Sequence, residues 1–265
     1  MNNPDKYGRS LHAPISLGTT SDDRFMPKGF LKAFAEMELI FTEKLDGQND
    51  CFKKVGVFAR SHAAISAHPW DKPMRERWEL IKNDLGNLEI FGENMFAEHS
   101  IAYKNLESYY YVFGVREGKR WLSWEEVKFY AAMLDFPTVP EIPIKVKLKD
   151  YYKEGVDENV QLAGWLKENL GMTWEESVDT PGLLGGYDRV TGVDASEGFV
   201  IRNAGGYVGN DGTIPVASNE FNNLFKLVRK GHVNTDKHWT LNWNEATLTD
   251  YEKYKWDSYK YLNNK

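Results

Sequence analysis

A lysine becomes a nucleophile only where desolvation or neighbouring cations pull its pKa down. Lys44, in FTEKLDGQND at residues 41–50, ends an apolar run and stands just before Asp46 and Gly47, residues that favour a turn. Such a turn would aim the amine into a pocket; the plain alternative is an exposed lysine before a loop. Five further segments set polar residues into otherwise apolar, strand-like runs, which is unfavourable unless those residues face a cleft with partners. They are VGVFARS with Arg60, EIFGEN at 89–94, YYYVFGV at 109–115, SEGFVIR at 196–202 and LFKLVRK at 224–230.

Strands must hold these residues. Apolar runs rich in β-branched and aromatic residues recur around 38–42, 55–60, 88–92, 109–115, 198–202 and 224–228, bounded by Gly, Asn or Asp. Helical periodicity occupies MRERWELIKNDLG from Met74, SWEEVKFYAAMLDF from Ser123 and ENVQLAGWLKENLG from Glu158. Ser123 with Glu126 spells a capping box, while Gly86 and Gly171 supply stops. Strands and helices mix without a regular βαβ alternation, so the order predicts an α+β domain of antiparallel β-sheets flanked by helices. No Gly-x-Gly-x-x-Gly or Walker loop is present, which removes the two commonest phosphate cradles. From Asn244 the chain reads as a terminal helix whose Tyr and Trp stripe docks on the body.

The 265 residues suffice for one large domain, and the formal net charge of −6 gives no global field that would attract a polyanion. Nucleic-acid contact would need a local patch, for which 116–120, 145–149 and 226–230 are candidates; each reads equally well as a solvated face. The single cysteine, Cys51, excludes an internal disulfide and suits a reducing compartment. No stretch approaches the roughly 18 apolar residues of a membrane span. A soluble cytoplasmic monomer with no membrane partner is the expectation.

In this order and at this spacing, the segments from residue 40 to about 230 resemble the nucleotidyltransferase (adenylyltransferase) motifs of the covalent ligase and capping-enzyme superfamily, most closely the RNA ligases. The resemblance implies that Lys44 attacks the α-phosphate of ATP to form lysyl-AMP, and that Glu43 reads the adenine edge. Asp46 and Gly47 would shape the turn, with glycine letting the backbone run close to the nucleotide. It implies further that Arg60 lies beside the phosphate and sugar, Glu93 accepts from the ribose, and Phe113 stacks on adenine, with Tyr109, Tyr110 or Tyr111 as alternatives. Glu197 would organise a magnesium ion, for which manganese can substitute. Lys226 would face the α-phosphate, with Arg229 as a second basic residue. A regular strand turns Arg229 to the face opposite Lys226, whereas Lys230 shares its parity and competes for the role. Lys226, Arg60 and magnesium would stabilise the phosphoryl group in flight and also disfavour a protonated Lys44.

Asp46 stands where many duplex-sealing RNA ligases have histidine, so this position leaves the choice of RNA or DNA open. The stretch after Arg229 is short for an OB domain, which favours RNA ligase over a minimal DNA ligase or a non-ligating protein that binds ATP or RNA ends. Residues 1–232 are read as the nucleotidyltransferase domain and 233–265 as a short C-terminal helical tail. His232 and His238 in the tail could touch RNA phosphate or cap a turn. The expected substrates are RNA ends held close together, as in a nicked duplex or a broken stem-loop.

Overall fold

The computed structural model describes residues 7–8, 10–21, 23–208, 223–231, 243–249 and 256. Its strands are β1 (Leu11–His12), β2 (Leu39–Lys44), β3 (Gln48–Lys53), β4 (Gly56–Ala59), β5 (Leu88–Asn94), β6 (Ile101–Tyr103), β7 (Tyr110–Glu117), β8 (Arg120–Trp121), β9 (Gly186–Asp188), β10 (Val193–Asp194), β11 (Gly198–Asn203), β12 (Tyr207–Val208) and β13 (Leu224–Val228). The helices are α1 (Phe30–Ala35), α2 (Lys72–Ile81), α3 (Trp124–Met133), α4 (Leu148–Tyr151), α5 (Glu158–Leu170) and α6 (Trp174–Val178).

Two sheets carry the molecule. One runs β1-β13-β11-β2, antiparallel except for the β1–β13 edge pair; the other runs β12-β8-β7-β5-β3-β4 and is antiparallel throughout. A small antiparallel sheet, β10-β9-β6, stands beside them. The expected α+β architecture is present; among the named strands only β1 and β13 pair in parallel.

Period-two alternation gives the four-stranded sheet one apolar face. Phe41, Phe199, Ile201, Phe225 and Leu227 pack there with Phe30 and Phe34 of α1 and Leu162 and Trp165 of α5. Each such side chain contributes about 1.5–3 kcal/mol on burial. The opposite face carries Thr42, Lys44, Val200, Arg202 and Lys226. The six-stranded sheet builds a second core from Phe52, Ile90, Phe91 and Val112 with Met74 and Ile81 of α2 and Val127 and Ala131 of α3.

Local signals explain the helix ends. Ser123 and Glu126 form the capping box of α3, and α5 ends at Gly171 in the left-handed region (φ 80°). Helix α2 starts two residues before Met74, after a 3-10 turn at Pro69–Asp71, and finishes at Ile81 rather than at Gly86.

The described start of the tail departs from expectation. Residues 243–249 form no helix but bridge Glu245 to Ala97 and Leu248 to Leu106, whereas Trp256 is helical and buried against Tyr109 and Phe136. Docking on the body combines these strand-like bridges, which the β-branched Thr247 and Thr249 favour, with the Trp256 ring. His232 and His238 lie outside the described residues.

Candidate active site

Lys44 is the last residue of β2, and its position is set by cross-strand register. Thr42 pairs with Val200 of β11, which pairs in turn with Lys226 of β13; two residues along β2, Lys44 pairs with Gly198. Lys44 and Lys226 therefore share a face, two rungs apart on the ladder and separated by β11. Glu197 precedes Gly198, and its Oε2 accepts from Lys44 Nζ at 2.5 Å. Gly198 has φ 152°, and a Cβ there would stand 2.0 Å from the Leu227 carbonyl oxygen, so only glycine lets β11 lie this close to β13 beneath the lysine.

The facing wall comes from the six-stranded sheet. Glu93 on β5 pairs with Asn49 on β3, and its Oε1 accepts the Gly47 N–H at 3.2 Å. Arg60, exposed after β4, donates from Nη2 to the Gly8 carbonyl at 3.2 Å. Between the walls lies a cleft of about 900 Å³ bordered by Lys44, Lys226, Glu93, Arg60, Phe113, Glu43 and Gly47. Tyr109, Tyr110 and Tyr111 do not border it. Their hydroxyls bond Glu245, the Asp50 and Ile90 carbonyls, and the Glu107 N–H, respectively.

The electrostatics correct one expectation. Burial alone would lower the Lys44 ammonium, but Glu197, Glu93 and Asp46 together hold it above the ordinary lysine value. It is Lys226 that falls, to about 8, through burial and then the Lys44 charge. Carboxylates around Lys44 outweigh the cations. Burial likewise pushes Glu93 up to about 8, against the attraction of Lys44 and with Glu197 and Asp46 adding to the rise. His12, opposite Lys226 in the parallel β1–β13 pair, is held at about 4 by burial and then by Lys226, so it is neutral.

A family model described as RNA ligase matches residues 37–228, most of the chain. The chain belongs to the RNA ligase family. Among solved structures it is similar to a Naegleria gruberi RNA ligase variant with ATP and Mn, at 17% identity and TM-score 0.45, covering 84% of this chain and 60% of that one. It is also similar to an archaeal ATP-dependent RNA ligase, at 13% identity and TM-score 0.41, covering 82% of this chain and 48% of that one. The chain thus spans no more than about 60% of the length of these ligases. A comparison with curated proteins gives no match.

Within this member of the RNA ligase family, other expected site residues are placed differently from one another. Asp46 anchors the turn to β6: its Oδ2 accepts the Ile101 N–H at 2.9 Å, and its own N–H donates to the Tyr103 hydroxyl at 2.9 Å. Gly47 is crowded by β5 rather than by open cleft, since a Cβ there would stand 2.6 Å from the Asn94 carbonyl oxygen. Alternation turns Glu43 away from Lys44 to one end of the cleft, where Oε2 accepts the Leu183 N–H at 2.7 Å and the buried Oε1 has no partner among the described residues. Burial raises Glu43 to about 7, the Leu183 N–H opposing.

Arg229 is not brought to the cleft. It is buried and paired with Asp188 of β9, as strand parity requires, and Lys230 is exposed. Of the basic stretches, Arg116 is buried against Glu89 at 2.5 Å, whereas Lys145, Lys147 and Lys149 are exposed.

Among the cleft residues that the sequence did not single out are Tyr7, His99 and Arg202. Arg202 had a signal, because it shares parity with Val200 in SEGFVIR. Its guanidinium lies 5.0 Å from the Trp124 ring and bonds the Phe113 carbonyl. Tyr7, packed edge-on to Phe113 at 5.3 Å, stands in a stretch without pattern. Among the described residues no helix is long and apolar enough to cross a membrane.

Proposed function

We propose that the chain is an ATP-dependent RNA ligase that joins 5'-phosphate and 3'-hydroxyl ends through lysyl-AMP and RNA-adenylate. The observation that carries this reading is Lys44 Nζ at a cleft of about 900 Å³ shared with Lys226, Arg60 and Glu93, in a member of the RNA ligase family. Such a volume suits a nucleotide.

Lys44, once it has lost a proton, attacks the α-phosphorus; the N–P bond forms as the P–O bond to pyrophosphate breaks. Lys226 and Arg60 stabilise the charge on the phosphoryl oxygens. The RNA 5'-phosphate then displaces Lys44 to give RNA-adenylate, and the 3'-hydroxyl displaces AMP. Phe113 supplies a ring face for adenine, Glu93 accepts from the ribose, and the unpartnered Glu43 Oε1 suits the adenine amino group.

Glu197, a hard oxygen donor beside the phosphate position, fits magnesium or manganese, ions that take few protein carboxylates and complete their shell with phosphate and water. Glu197 would hold such an ion, which would supply positive charge at the phosphate oxygens and compete with Lys44 for that carboxylate. Residues 1–232 serve as the nucleotidyltransferase domain, 233–265 as an appended tail, and the active unit is a monomer.

Incubation with labelled ATP and magnesium tests the first step: the protein must gain one AMP, and Lys44→Ala must not. AMP on another lysine would refute the assignment. Sealing of four nicks, with RNA or DNA on either side of the break, tests the substrate. RNA at the 3'-hydroxyl side is expected to be preferred, because the 2'-hydroxyl is what a small site can read. Preference for DNA there would assign a DNA ligase; no covalent AMP would leave a binding protein.

A further inference from the structure

Behind the Lys44 turn lies an acidic pair that the ligation chemistry leaves unused. Asp50 on β3 and Asp71, which ends the 3-10 turn before α2, are both fully buried. Their side-chain partners among the described residues are neutral. Gln48 Nε2 donates to Asp50 Oδ1 at 2.6 Å and to Asp71 Oδ1 at 2.8 Å. Asn94 Nδ2 donates to Asp50 Oδ2 at 2.8 Å and to Asp71 Oδ1 at 3.2 Å, and the Ser66 hydroxyl donates to Asp71 Oδ2.

The amide orientations are fixed from behind. The Trp70 indole can only donate, and it does so to Gln48 Oε1 at 2.8 Å; the Phe96 N–H donates to Asn94 Oδ1 at 3.0 Å. Both NH₂ groups must therefore face the carboxylates. Among the described residues no cation stands between these two buried carboxylates, so charging both is disfavoured and a single proton on the pair relieves the cost. In agreement, burial and then Asp71 push the Asp50 carboxyl well above its usual range.

The two amides stand at the site's edge. Gln48 follows Gly47, Asn94 follows Glu93, and Gln48 and Asn94 face each other across the β3–β5 ladder. They thus bracket the Gly47 N–H···Glu93 contact beside Lys44. We propose that Asp50 and Asp71, sharing one proton, form a positioning device that fixes the Lys44 turn through Gln48 and Asn94. The inference rests on the assignment of Lys44 as nucleophile. Among the described residues, the other titratable or charged groups around the pair are Glu93 on β5, Cys51 on β3, Tyr110 on β7, whose hydroxyl bonds the Asp50 carbonyl, and Arg75 on α2. Arg75 donates to the Ser66 and His68 carbonyls.

Asp71 does not border the cleft, so its variants separate positioning from substrate contact. In single-turnover lysyl-AMP formation, Asp71→Ala should lower the limiting rate by ~30-fold, within the range a displacement of about 1 Å produces, with little change in the half-saturating ATP concentration. Asp71→Asn and Asp50→Asn should stay within about threefold of the parent, because an amide has the shape and charge of the protonated acid. Thermal unfolding provides a readout that needs no ATP. A carboxyl raised in the folded state loses stability as pH rises above its ordinary range, so the Tm of Asp50→Asn should gain on the parent as pH rises above about 4.

Either Asn variant as slow as Asp71→Ala would overturn the shared proton, as would parallel Tm curves. An effect confined to the half-saturating ATP concentration would overturn positioning. A parent that forms no lysyl-AMP would remove the nucleophile assignment while the Tm comparison still decides the pair.

Discussion

Gly47→Ala adds one methyl group to the tightest point of the site. Gly47 is not among the glycines with positive φ, so backbone preference is no obstacle and the effect is purely steric. The added Cβ would stand 2.6 Å from the Asn94 carbonyl oxygen, 2.8 Å from Met95 Sδ and 3.0 Å from Glu93 Cγ. Comfortable contact begins near 3.5 Å, so the turn and β5 must part by about 1 Å. Met95 can swing aside, whereas the carbonyl can retreat only with its strand. Overpacking of this kind costs about 1–3 kcal/mol, equivalent to a Tm loss of about 2–10 °C in a protein of this size. The kinetic effect should be larger in proportion, because the Gly47 N–H also touches Glu93 and a shift of about 1 Å at a reacting group slows chemistry by ~100-fold. The assay is single-turnover lysyl-AMP formation followed by intact mass, with thermal unfolding alongside. A variant within about twofold of the parent rate at an unchanged Tm would show that the turn has slack, and the reasoning from close approach would fail.

Other substitutions probe separate parts of the site. Glu93→Gln should remove a pH slope: a carboxyl held at about 8 instead of 4.5 contributes stability below its ordinary pKa and loses it as pH rises toward 8, an upper bound of about 5 kcal/mol. Water at a partly exposed side chain trims that to about 2 kcal/mol, so denaturation curves of variant and parent should diverge from pH 5 to pH 9; parallel curves would contradict the prediction. Glu197→Ala should slow the chemical step on the order of 100-fold and move the alkaline rise of its pH–rate profile to lower pH, since Lys44 loses a carboxylate that keeps it protonated. Arg229→Ala should cost about 3–5 kcal/mol in urea unfolding by leaving buried Asp188 unpaired, while Lys230→Ala leaves the transition in place. The reverse ranking would show that the parity argument is wrong.

Much of this site was legible because strand parity is a strong constraint. Once β2, β11 and β13 are placed, Lys44, Val200 and Lys226 must share a face and Arg229 must leave it. Strand β3 was not legible: QNDCFK has no apolar run, because Gln48 and Asp50 spend their polarity on a buried network rather than on solvent. Helix α1, at six residues, is too short to show periodicity. The protonation of Lys44 was also beyond reach, because it depends on how three carboxylates from distant segments balance burial, and spacing carries no such distances.

The sheet that carries Lys44 also dictates when the site can exist during synthesis. The neighbours of β3, namely β4 and β5, follow it closely in the chain, so most of the six-stranded wall can form from nascent residues. Lys44 instead pairs with Gly198, and Lys226 is held by a strand that begins at Leu224. Loop closure over such separations is slow and waits for the late strands to leave the ribosome. A ribosome-bound chain that stops before Glu197 would carry the lysine without Glu197 or Lys226, so under the proposed role of Lys44 unfinished copies would stay chemically silent toward ATP until the last strand of the sheet is in place.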